Sequence, residues 1–438
     1  MFTSSLFPRR EFVKTAAVAG ASLAVLGAIP AFASAASKPD TRSAGPLFTP
    51  AVSEGGIILK NAKIIDPSGF CREDAAIVIQ KETILAACPL AEAVSRFPAA
   101  QVVDLDGLYC SAGLIDLHTH VFGPIGLPAD DIGVYSGVTT LLDCGSAGAA
   151  TLDAFRRDVV EKSKTEIYGL LHIARKGITG DLGEAANLED LDVDAAVAAA
   201  KTAPEFIKGM KVRIEPIIVG DNSLIPAIRA KKAALRADLP LMIHIGSEPP
   251  LLQDTLELLD KGDMIAHCFH GKSGKIVDAA GNILPCVNAA RKRGVFFEIG
   301  HGGGSFSVDT ARKATKAGFR PDAVSSDLHS FSWDKNLYSL AVTMSKFLSL
   351  GYPLNDVISL VTASPARILG LEATHGKIEP GRKADLTIFS IKQGEFAFAD
   401  WENAPFSGNM LIRPEFTIKT GSPYTCKETS GPVGQQKS

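Results

Sequence analysis

Six polar side chains interrupt runs that are otherwise largely apolar. His118 and His120 close the run 113–120, with Asp116 two residues before them. Strand residues at i and i+2 share a face, so all three point one way, and two imidazoles on a rigid edge can bind one metal. His244 is the one polar residue in 239–246, His267 stands near the end of 263–269, and Asp327 lies in 323–329. Alone, each histidine reads as an ordinary core residue and Asp327 as a turn or helix-capping carboxylate. Together they form a nitrogen and oxygen donor set suited to Zn²⁺, Mn²⁺ or Fe²⁺. Lys211, in 207–214, is the odd member. Lysine is almost never fully buried unless paired, and its ordinary reading is a stem that snorkels to the surface. Turned inward beside divalent cations, it would lose its proton readily, since like charge and desolvation both lower its pKa. A neutral amine can take up CO₂ as a carbamate, an anion whose two oxygens could bridge two metals.

These residues need elements to position them. Eight strand-like runs can be counted, at 113–120, 137–145, 166–175, 207–214, 239–246, 263–269, 295–301 and 323–329. Helix-like stretches join most of them, including 152–163, 224–236, 250–259, 289–293 and 308–317. Alternating β and α over 113–366 predicts an α/β fold, a (β/α)₈ TIM barrel, with an open doubly wound sheet as the rival. Strands of such a barrel should be apolar almost throughout, and active sites sit at their C-terminal ends. That is where most of the polar residues fall.

The flanks have a different texture. Short β-like runs fill 55–112 and return in 367–400, which predicts one small β-sandwich domain built from both ends. The segment 401–438 reads as a tail that wraps the surface or is partly disordered. Residues 34–54 are Ser-, Ala- and Pro-rich, a flexible lead-in.

The chain has 438 residues and a net charge of −3, with no basic block, which argues against a nucleic-acid surface. Mean hydropathy is +0.15. Beyond residue 40 no apolar run reaches the ~18 residues that span a bilayer. The first 33 residues differ: Arg9-Arg10-Glu11-Phe12-Val13-Lys14, then an apolar run to Pro30, then Ala31-Phe32-Ala33. This is the pattern of a twin-arginine signal peptide with a small-residue cleavage site. Its removal takes three positive charges and one negative, leaving −5. The expected location is periplasmic or otherwise exported, without stable membrane insertion after processing. The seven cysteines are scattered and odd in number, and their spacing outlines neither a disulfide framework nor a structural zinc site.

Taken as a set, these residues resemble the amidohydrolase superfamily over about 56–395, in its binuclear dihydroorotase/hydantoinase-like subtype. The runs Gly209-Met210-Lys211-Val212-Arg213, Gly262-Asp263-Met264-Ile265-Ala266-His267-Cys268-Phe269-His270-Gly271 and Gly300-His301-Gly302-Gly303-Gly304-Ser305-Phe306 resemble its bacterial amidohydrolase/deacetylase branch. The resemblance implies that His118, His120 and Asp327 hold a buried divalent metal and that His244 and His267 hold an exposed one. Carboxylated Lys211 would bridge them, with zinc the first candidate metal.

On this reading a water shared by the metals attacks an amide or ester carbonyl, and Asp327 acts as general base and then acid. Arg213, on the face of Lys211, and Arg175, at the end of the third run, are candidate clamps for a substrate carboxylate. His301, ahead of three glycines, is a candidate substrate contact. His270 is the next candidate base, while His172, His329 and His375 read as structural. The expected partner is a small molecule, with homo-oligomerisation left open. The rivals are a cyclic amidase, a deaminase, and a periplasmic binding protein on an inactive enzyme scaffold.

Overall fold

Continuous buried runs of Val, Ile, Leu and Met build the central sheet. The computed structural model describes residues 55–427 except 71, 73 and 334–338. The signal segment 1–33 and the lead-in 34–54 therefore lie outside the described residues.

In the N-terminal flank, β1 (Ile57–Lys60), β2 (Lys63–Ile65), β3 (Ala76–Gln80), β4 (Thr83–Cys88), β5 (Gln101–Asp104) and β6 (Tyr109–Ala112) precede the barrel. The barrel sheet follows: β7 (Leu114–Thr119), β8 (Val138–Gly148), β9 (Glu166–His172), β10 (Ile207–Arg213), β11 (Leu241–His244), β12 (Met264–Ala266) and β13 (Phe296–Phe297). From β8 onward each pairs in parallel with its predecessor. The strands are buried on both faces, as a parallel sheet requires.

The eighth expected strand is not a continuous one. Residues 323–328 bridge both neighbours, through Glu298 to Ala323 and Thr119 to Leu328, both parallel. The His120 amide donates to Leu328 O at 2.9 Å and the Asp327 amide to His118 O at 2.7 Å, so the ring closes. The seventh expected strand is also short. The cause is conformational: Gly300, Gly302 and Asp327 have φ of +44°, +52° and +51°, which an extended ladder cannot accommodate.

After the barrel come β14 (Leu386–Ala399), β15 (Pro405–Lys419) and β16 (Ser422–Thr425). The expectation of a surface tail from residue 401 is thus corrected up to residue 425. β15 pairs antiparallel with β14 along nearly its whole length, and its sequence is too mixed to announce that partner. The sandwich stacks β4-β3-β1-β5 against β16-β15-β14-β6-β2. Its core joins both chain flanks, with Ile57, Ile77 and Ile84 packed alongside Leu386, Ile388 and Ile418. Among the described residues, no helix is long and apolar enough to cross a membrane. Six described cysteines are free thiols.

Candidate active site

The strand ends bring His118, His120, Lys211, His244 and Asp327 to the wall of one cavity of about 280 Å³. His267 lies directly behind His244. The outward ring nitrogen of each histidine is already committed. His118 Nδ1 shares a hydrogen bond of 2.6 Å with the buried Glu298 carboxyl, which also accepts from Ser325 Oγ. His120 Nδ1 meets Ser146 Oγ at 2.9 Å. These partners fix each ring and leave Nε2 facing inward. Asp327 Oδ1 is 3.3 Å from His120 Nε2 and 3.6 Å from His118 Nε2. The three donor atoms lie within 4.8 Å of one another, a group that could hold a metal ion.

The second histidine pair is more telling. His267 Nδ1 lies 2.7 Å from Gly300 O, which can only accept, so the proton sits on Nδ1 and the neutral ring has its lone pair on Nε2. His244 Nε2 donates to Glu215 at 3.1 Å, so its lone pair is on Nδ1. Burial would raise the Glu215 carboxyl, but the bonds from His244 and from Lys272, at 2.8 Å, hold it well below the usual carboxylate range. The two lone pairs then face each other across 2.8 Å. Two acceptors at that distance repel unless a cation stands between or beside them. The donor chemistry therefore fits a divalent ion.

Lys211 is fully buried. Its Nζ lies 3.2 Å from Met242 Sδ and 3.4 Å from His118 Nε2. Among the described residues it makes no ion pair with a carboxylate. Burial lowers its pKa. Gly145 makes room for its stem, since a Cβ there would lie 2.8 Å from Lys211 Cγ.

The backbone is bent to aim these groups. His267 and Asp327 have φ of +69° and +51°, left-handed conformations that cost ~1–3 kcal/mol each for residues with a side chain. Such strain concentrates at functional sites. Gly302 completes the fit: a Cβ there would lie 2.4 Å from Asp327 Oδ2.

The candidate substrate contacts fare unevenly. Arg213 lines the cavity, but its Nε and Nη2 donate to Glu184 at 2.6 and 2.8 Å, which leaves its other edge for a ligand. Arg175 is exposed, three residues past the end of β9, and is not on the cavity wall. His301 is buried and turned away, stacked on Phe306 at 4.6 Å and bonded to Lys346, so it is not a substrate contact here. His329, read as structural, lines the cavity instead. His270 is buried off the cavity, its Nδ1 accepting from the Lys272 amide. His172 is buried beneath, 3.7 Å from Glu184, and His375 lies at the other end of the barrel against Glu166.

Sequence reasoning missed Glu215, Glu298 and Glu184. Two left a trace: Glu298 breaks the apolar run 295–301, and Glu215 continues the alternation 211, 213, 215.

The model of the amidohydrolase family matches residues 109–411. A deacetylase of Enterococcus faecalis is 36% identical over 333 residues, covering 74% of this chain and 89% of its own. The solved structure of an adenine deaminase aligns with a TM-score of 0.78 at 34% identity, over 84% of this chain and 99% of that one. A dihydroorotase structure aligns with a TM-score of 0.77 at 32% identity, over 85% and 99%. The family match spans the barrel and reaches into β15, and it includes every residue that lines the cavity. The chain belongs to the amidohydrolase family and is a metal-dependent hydrolase.

Proposed function

We propose that the protein is a deacetylase-like hydrolase that cleaves an amide or ester bond in a small acyl compound bearing a carboxylate. The observation that carries this reading is the 2.8 Å approach of His244 Nδ1 to His267 Nε2 beside a buried Lys211 that, among the described residues, pairs with no carboxylate. His118, His120 and Asp327 would hold one divalent ion, zinc for preference, and His244 and His267 a second. Lys211, carboxylated, would join them. Such ions, when bound, would supply Lewis acidity and lower the pKa of a bound water toward ~7.

The chain's own groups do the rest. Asp327 accepts the proton of the attacking water and returns it to the leaving amine or alkoxide. Glu215 and Glu298 hold their histidines in one tautomer. Ile125, Ile178, Leu182 and Phe331 give the cavity its apolar wall and exclude water from a bound acyl group. The free edge of Arg213 pairs with the substrate carboxylate.

N-acetyl amino acids or acetylated 2-hydroxy acids should therefore be turned over faster than their methyl esters. Glu184 already shares the guanidinium, so the preference should sit near the low end of ~1.5–3 kcal/mol, about 10-fold in kcat/KM. Arg213→Met should erase it with metal content intact. A wild type indifferent to the free acid would refute the carboxylate assignment. The runner-up is a cyclic amidase, favoured by the dihydroorotase likeness. Faster ring opening of cyclic ureides than cleavage of open-chain amides would select it.

Export by the twin-arginine route rests on residues 9–33 alone. Replacing Arg9 and Arg10 by Lys should retain the precursor inside the cell, and undiminished export would end that assignment.

A further inference from the structure

Asp327 is flanked by a glycine-rich wall, 300–305, whose only side chains are those of His301 and Ser305. The His301 and Gly302 amides donate to Ser325 O and Ser326 O at 3.1 and 2.9 Å. Gly303, Gly304 and Ser305 continue along the cavity, and Gly302 abuts the Asp327 carboxylate. A segment this rich in glycine is floppy unless something behind it is rigid.

What lies behind it is a buried polar knot. His301 Nδ1 lies 2.9 Å from Gly302 O, which can only accept, so Nδ1 carries the proton and Nε2 the lone pair. Lys346 Nζ, on the helix Leu340–Ser349, donates to that Nε2 at 2.8 Å and to Ala399 O at 2.9 Å. Ala399 is the last residue of β14, where the long C-terminal hairpin turns. The turn docks on the same segment. Asp400 accepts from the Val308 amide at 3.0 Å, at the start of the helix Val308–Lys316. The Trp401 amide donates to Phe306 O at 3.1 Å. Asp400 also accepts from the Glu402 and Ala404 amides at 3.0 and 2.9 Å, which makes the turn itself stiff. The helix is tied to the hairpin in turn, since the Ile412 amide donates to Ser345 Oγ at 2.9 Å.

Among the described residues, His301, Lys346 and Asp400 do not line the cavity, and a buried lysine is a costly way to join two elements that apolar packing could join. We infer that Lys346 is a positioning residue: with the hairpin turn it fixes His301, and through His301 the backbone of 300–305 against Asp327. The β-domain hairpin thereby reaches into the catalytic site without lining it. This rests on the proposed role of Asp327 as general base.

The test compares Lys346→Met and Asp327→Asn with wild type, each with its metal content measured. A small misplacement of a catalytic group can cost up to ~10²-fold in rate. Lys346→Met should lower kcat by at least ~10-fold on an N-acetyl amino acid, with KM within about twofold and metal content as in wild type. Amide hydrogen exchange of 300–306 should accelerate without change elsewhere in the barrel, a readout independent of turnover. In a His301→Phe background, Lys346→Met should cost little more, because its route is already cut.

Should Lys346→Met fail to fold, Asp400→Asn weakens the same turn and should give the same split of kcat from KM. Unchanged kcat and exchange in a folded variant overturn the inference, as does loss of kcat only in step with loss of metal. If Asp327→Asn is fully active, the catalytic reading fails instead, and the exchange data alone then judge the knot.

Discussion

Two buried clusters of histidine and carboxylate occupy opposite ends of the barrel strands, and only one is built for a metal. At the base, Glu166, His375 and Asp385 offer three donor atoms within 4.8 Å, as His118, His120 and Asp327 do at the mouth. The base is already filled with cations of its own. Lys419 Nζ donates to Glu166 and Asp385, both at 2.6 Å, and Lys383 donates to Glu166 at 2.7 Å. Burial would raise Glu166, but His375 and the lysines hold it far below the usual carboxylate range. Two carboxylates meet two ammonium groups, and the charge closes. At the mouth Lys211, on the cavity wall, has no carboxylate partner among the described residues, and lone pair faces lone pair. Residue types alone do not distinguish the two clusters. What separates them is which donors remain unanswered.

The largest expected break in this contrast comes from Lys211→Ala. Metal content should fall, and activity should drop by more than the ~10–100-fold typical of partners outside the coordination sphere. Short carboxylic acids should restore part of both by standing in for the bridge. Unchanged metal content would remove Lys211 from the site.

Lys419→Met tests the other end and should do the reverse. It leaves Asp385 without its ammonium, and breaking a buried pair costs ~3–5 kcal/mol. The lower figure is expected, because Lys383 and His375 still serve Glu166. Thermal unfolding should shift down while metal content and kcat/KM hold. Loss of metal from Lys419→Met would mean the base had been misjudged.

The contrast also marks what the sequence can show. The barrel was readable because parallel strands buried on both faces are written as apolar runs, and a histidine or lysine within one stands out. The metal-type residues were readable for the same reason. The last two strands were only half legible, since Gly300, Gly302 and Asp327 leave the extended region and no periodicity records that. β15 was missed because Pro405–Lys419 carries two prolines and mixed polarity, and its strand character depends on a partner in β14. Arg213 faces the cavity as expected but shares its guanidinium with Glu184, whereas His301 was placed on the correct element but aimed wrongly. Their partners, Glu184 and Lys346, lie 29 and 45 residues away in the chain, and no local pattern links them.

The most direct test of the central claim is the number of divalent ions per chain in the purified protein, measured by elemental analysis and set against hydrolysis of an N-acetyl amino acid before and after chelation. The account predicts two ions per chain, loss of activity as they are removed and its return on reloading. Full activity with one ion or none would contradict it.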